Sequence, residues 1–178
     1  LRLEPSRPEI AAAMGSLGTD PDLLDHAARR LAARLLGALA DPAEARALLG
    51  PGRPARLHLP LPAGTPLGAA APSRLVATLP LTEAAEPDAL AARLAGLAAA
   101  GIAAELDGLD AGALDLLEIT ALPPTLLRLH WSPAMAGPGP RAALRRVDPA
   151  RLVLAGGGGE AALSFALALS IGLVEVPA

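Results

Sequence analysis

Apolar residues recur along this chain at two spacings, and the switching between them predicts its elements. The opening, LRLEPSRPEIAAAMGSLG, is punctuated by proline and glycine and reads as an N-terminal remnant or loop over residues 1–19. Thr19 or Asp20 can then cap a helix that opens at Pro21, with Leu24, Ala28, Leu31, Leu35 and Leu39 along one face. A second short helix is expected from Pro42 to about Leu49, so that residues 20–50 read as helical.

From residue 56 to 176 the period alternates between two and three-to-four. ARLHLPL and SRLVATLPL read as strands around a Gly/Pro/Ala loop, with Pro80 ending the second or standing at an unpaired position. PDALAARLAGLAAA reads as a helix, GIAAELD as a strand, AGALDLLEITAL as a helix and TLLRLH as a strand. PRAALRRV is a short helix, ARLVLA a strand, EAALSFALALS a helix and IGLVEV the last strand. Six strands separated mostly by helices predict a parallel α/β architecture, and both a barrel and a doubly wound sheet satisfy that pattern. At 178 residues the chain has the length of one domain, 1–178, although its start at LRLEP, without Met, suits a piece of a longer protein.

Composition narrows the function more than the fold. All 15 basic residues are arginine, and Ala, Leu, Gly and Pro dominate, a bias typical of GC-rich coding that weakens arguments from abundance. The net charge of −3 and the single Trp and single Phe offer neither an electrostatic footprint nor a stacking platform for nucleic acid. Without cysteine there is no disulfide, thiolate nucleophile or Cys-ligated zinc. No apolar run reaches the length of about 20 residues that spans a bilayer, and no signal peptide is evident, so a cytoplasmic chain is expected.

The order of the segments carries a resemblance. GIAAELDGLDAGALDLLEITALPPTLLRLH resembles, without a gap, the centre of the EAL domain family, the cyclic di-GMP phosphodiesterases and their inactive relatives. The family's DDFGTG falls on Asp107 to Gly112 (DGLDAG) and its LKID on Leu127 to His130 (LRLH). Upstream, VNLS falls on Leu57 to Pro60 (LHLP) and EITE on Pro80 to Glu83 (PLTE). Downstream, EGVE falls on Ala155 to Gly158 (AGGG) and LVQG on Leu173 to Val176 (LVEV). The EAL tripeptide itself would lie at or before Leu1, where LRLE resembles the residues that follow it. The resemblance implies a TIM-like (β/α) barrel of the EAL type, here shortened or partly eroded, since only one short helix fits between LRLH and AGGG.

What it implies for chemistry lies in the departures. Active members hold two metal ions on carboxylates and an amide at the strand ends. At the matched ligand positions this chain has His58, Pro80, Gly108 and Ala155, and of these ligands only the first Asp of DDFG survives, as Asp107. Arg128 and His130 replace the Lys and Asp of LKID. The resemblance therefore implies a catalytically inactive domain without a cofactor, a regulatory or protein-interaction module in cyclic di-GMP-linked signalling whose protein partner is unknown. A non-hydrolysing cyclic di-GMP sensor is the alternative, and a metal-dependent phosphodiesterase comes third.

Strand parity proposes what fills the pocket instead. In RLHLPL the leucines share one face and His58 the other; the same alternation turns Glu105, Asp107, Arg128 and His130 inward. Glu105 is expected to pair with Arg128, since a charge inside a barrel needs a partner. His58, Glu83, Glu105, Asp107, Arg128 and His130 are thus the vestigial pocket candidates. No metal is expected, the competing arrangement being a two-histidine, one-carboxylate site on His58, Asp107 and His130. Gly156 to Gly159 lack the lysine and spacing of a phosphate loop and read as a relaxed loop. Arg141, Arg145 and Arg146 read as a solvated helix face, His26 as surface, and Trp131 with Met135 as loop packing.

Overall fold

A computed structural model describes residues 6–50, 56–62, 64–65 and 74–175, so LRLE, most of the loop before SRLVATLPL, and Val176 lie outside the described residues. The chain divides into two compact units, Leu1–Leu79 with Ala92–Ala104, and Pro80–Ala91 with Glu105–Ala178.

The first unit begins with a helix, α1 (Arg7–Met14), where a loop is expected. Pro8 sits in its first turn, where a missing N–H costs nothing, and the Ser6 hydroxyl accepts the Glu9 N–H. The residues read as punctuation are in fact a helix start. Arg7 then pairs with Asp25 at 2.5 Å on α2 (Pro21–Ala40). Asp20 caps α2, its carboxylate accepting the N–H groups of Asp22 and Leu23. The buried stripe of α2 is Ala28, Ala32, Leu36 and Leu39, rotated from the expected one so that Leu24, Leu31 and Leu35 are only half-buried. Asp41 repeats the cap for α3 (Pro42–Leu49). Two parallel strands complete this unit's core, β1 (Leu57–Pro60) and β2 (Leu75–Pro80), in the register Leu57 to Leu75 and Leu59 to Ala77. The expected alternation holds on β1, where Leu57 and Leu59 are buried and His58 is half-buried.

Next along the chain is α4 (Pro87–Ala99), which buries Leu90 and Leu97. The second unit carries β3 (Ala103–Leu109) from Glu105 onward, with β4 (Leu126–His130), β5 (Leu152–Ala155) and β6 (Leu173–Glu175), paired in parallel β3 to β4, β4 to β5 and β5 to β6. Sequential parallel order without a reversal is how a singly wound sheet grows, and it is the order of a barrel wall rather than of a doubly wound sheet. Between the strands lie α5 (Ala111–Leu116), α6 (Pro138–Leu144) and α7 (Glu160–Ala168). The helix expected over residues 111–122 stops at Leu116 and continues only as a 3-10 turn at Ile119–Ala121. Two β-branched residues, Ile119 and Thr120, followed by Pro123 and Pro124 disfavour another α-helical turn.

One face of this sheet is apolar throughout. Leu106, Leu109, Leu127, Leu129, Leu152 and Leu154 are all essentially inaccessible to water, each contributing about 1.5–3 kcal/mol of burial. Phe165 of α7 and Met135 are buried as well. The other face carries the charges. No helix among the described residues is long and apolar enough to cross a membrane.

Candidate functional site

A bulge decides which side chains reach the charged face. Asp107 pairs with Arg128, but the next paired residue on β3 is Leu109, opposite Leu129, so Gly108 is an extra residue. Uninterrupted alternation would have turned Leu109 to the side of Asp107; the bulge returns it to the leucine face, where it is fully buried. Gly108 adopts φ 113°, a conformation that strains any residue with a Cβ. The position where the EAL pattern has its second aspartate is therefore held by a backbone requirement.

Three carboxylates surround one guanidinium. Arg128, only 7% exposed, donates from Nη2 to Glu175 in the shortest of these contacts. Its Nε lies 3.5 Å from Asp107 Oδ1, and its Nη1 lies 4.0 Å from Glu105 Oε1. The expected Glu105–Arg128 pair thus forms at the edge of ion-pair range, with Asp107 and Glu175 closer. Asp107 also faces His130, whose Nε2 lies 2.6 Å from Oδ1. Glu105 is completely buried, whereas Asp107 and Glu175 retain 20% and 38% of their side-chain surface, so the cluster grades from a dry floor to a wet rim.

Register explains how Arg128 reaches across a strand. On the charged face β5 presents Val153 beside Arg128 and Ala155 beside His130, with Glu175 paired to Ala155 on the far side. Ala155, with only a methyl group, leaves the guanidinium room to meet Glu175. That alanine stands where the EGVE motif would put its first glutamate.

The glycine run is packed more closely than a relaxed loop. Gly157 is buried, donates its N–H to the Glu175 carbonyl at 3.2 Å, and would place a Cβ 2.8 Å from Val174 Cγ1. Gly156 takes a positive φ of 75°. These two residues let the chain turn after β5 and lie against β6, the strand that supplies Glu175.

The structure brings Glu105, Asp107, Arg128 and His130 together in the second unit. Glu83 lies half-buried in a 3-10 turn, Leu81–Ala85, and His58 lies on β1 of the first unit. Among the described residues no group of three His, Asp or Glu side chains that could hold a metal ion is found. Glu175 was not a candidate, although an acidic residue inside the apolar run LVEV was the available signal.

The expected arginine face is also differently used. Arg141 lies over the Phe165 ring at 5.8 Å, and that ring packs at 5.1 Å, tilted by 49°, on Trp131. Arg146 lies beyond the end of α6 and pairs with Glu118 at 2.9 Å. The Thr120 hydroxyl donates to Glu118 at 2.6 Å, and this bond, with the Arg146 charge beside it, holds the carboxyl below its ordinary range. Arg145 and Arg146 both remain exposed, as a solvated face requires.

No protein-family model, curated protein or solved structure matches this chain.

Proposed function

We propose that this chain is a catalytically inert relative of the EAL domains, a shortened (β/α) barrel retained as a protein-interaction module in cyclic di-GMP-linked regulation, acting in the cytoplasm. The order of its segments, the parallel sequential strands and the leucine faces support the frame. His58, Pro80, Gly108 and Ala155 at the ligand positions support the loss of two-metal hydrolysis, because a hard dication needs several oxygen donors to offset its dehydration.

One observation carries the choice between an interaction module and a nucleotide sensor. The inward guanidinium best placed to meet a phosphate, Arg128, is already engaged by Glu105, Asp107 and Glu175. An anionic dinucleotide would have to displace a carboxylate from Arg128 and then sit among three negative charges, a repulsion that works against binding. The same cluster suits a rigid wall under a protein surface.

Isothermal titration calorimetry with cyclic di-GMP, run with Mg²⁺, with Mn²⁺ and with neither, followed by product analysis, tests the reading. The expected result is no heat and no product. Metal-independent binding without cleavage would replace this reading with that of a sensor, and hydrolysis would overturn it.

A further inference from the structure

Several arginines of the chain are answered by acceptors. Arg7 meets Asp25, Arg146 meets Glu118, Arg93 donates to the Leu61 carbonyl, and Arg151 donates to the carbonyls of Pro123 and Thr125. The outward face of α2 departs from this habit. His26, Arg29, Arg30 and Arg34 follow spacings of three and four, which place them on one side of the helix. None of the four takes a hydrogen-bond or ion-pair partner among the described residues.

These side chains line a concavity rather than a flat stripe. Together with Ala33 and with Gly64, in the turn after β1, they bound a groove of about 560 Å³. That volume falls in the range that holds small-molecule ligands, about 300–1,000 Å³. The arrangement costs the apo protein something, because Arg30 and Arg34 are like charges one helical turn apart, and like-charge pairs at that spacing oppose the helix. An anion in the groove would turn that repulsion into attraction.

We propose that this groove is a binding site for a small molecule bearing adjacent phosphate groups. Guanidinium forks match phosphate oxygens two at a time, which favours phosphate over a diffuse negative charge. Three such forks exceed what one monoanion can satisfy, so the complementary group is a di- or triphosphate. Ala33 and the arginine stems leave an apolar remainder for the rest of the ligand. This site belongs to the first unit and does not rest on the function proposed above.

Inorganic tripolyphosphate is the probe, titrated calorimetrically into the full chain at low and at moderate salt. A one-to-one isotherm that weakens with salt is expected. Arg30→Gln and Arg34→Gln should each weaken binding by about tenfold or more, since each removes charge-assisted hydrogen bonds. Arg145→Gln, an exposed arginine of the second unit, should leave it unchanged. Far-UV circular dichroism of each variant confirms that α2 is retained. No heat, or an equal loss with Arg145→Gln, would overturn the site. Tighter binding of a heptaglutamate peptide than of tripolyphosphate would also overturn it, by assigning the face to an acidic protein segment.

Discussion

Replacing Arg128 with methionine tests whether the charged cluster is held together as described. The substitution keeps most of the volume and removes the cation that faces Glu105, Asp107 and Glu175. Removing one partner of a buried ion pair costs about 3–5 kcal/mol, because the remaining charge stays desolvated. Burial decides which carboxylate dominates that cost. Glu105 has no exposed surface, and water cannot reach it when the guanidinium goes, whereas Asp107 and Glu175 can be partly rehydrated. Because the Glu105 contact is also the longest, at 4.0 Å, the lower end, about 3 kcal/mol, is the expected loss. Glu175→Gln should cost under about 1 kcal/mol despite the shorter contact, since its side chain is more than a third exposed. The double variant Arg128→Met with Glu105→Gln should regain about half of the loss or more, as a neutral pair no longer strands a charge. Urea unfolding followed by Trp131 fluorescence, with far-UV circular dichroism in parallel, measures all three variants. If Arg128→Met costs less than about 1 kcal/mol, or no more than Glu175→Gln, burial does not rank these partners and the reasoning fails.

Three further substitutions probe separate features. Phe165→Ala should cost about 3–5 kcal/mol and shift Trp131 emission to longer wavelength, because it removes a buried ring and wets its indole neighbour; unchanged emission would refute the packing. Gly157→Ala should destabilise by about 1–3 kcal/mol as its Cβ forces Val174 away, and a neutral result in chemical denaturation would mean the run is slack. Asp41 has a folded-state pKa below its ordinary 3.8, chiefly through the N–H of Glu44 and then of Ala43. Its stabilising effect is therefore complete above pH 3.8 and is lost as pH falls through the lower folded value, so Asp41→Asn should flatten that part of an acid-unfolding curve. An unaltered acid limb would show that the cap charge does not contribute.

Local pattern made most of the elements legible. The alternation in RLHLPL, AAELD and LLRLH gave the strand faces because a period of two admits only two assignments, and a core selects one. Start signals were harder, since Ser6 and Pro8 are as much loop residues as helix openers, and the decision rests on the alanines that follow. The charged cluster was half visible for a similar reason. Glu105, Asp107, Arg128 and His130 lie on consecutive strands, where parity alone brings them together. Glu175 reaches Arg128 across β5, and that contact depends on a small Ala155 and on register, neither of which parity contains. Gly108 adds what the pattern does not contain, a bulge with φ 113° that glycine takes without strain.

Trp131 and Phe165 are the only aromatic residues in the whole chain, and they lie against each other. An interior built chiefly from leucine and alanine offers many nearly equivalent ways to interdigitate, and such interiors lose uniqueness before they lose compactness. Two flat, inflexible rings end that degeneracy where they stand, tying the end of β4 to α7 in one arrangement. The pair therefore works as a key cut into an otherwise interchangeable aliphatic fill. Elsewhere in the second unit, one branched side chain can substitute for another at little cost, and the outline of the unit survives. Such tolerance leaves the leucine face in register when single aliphatic side chains are exchanged.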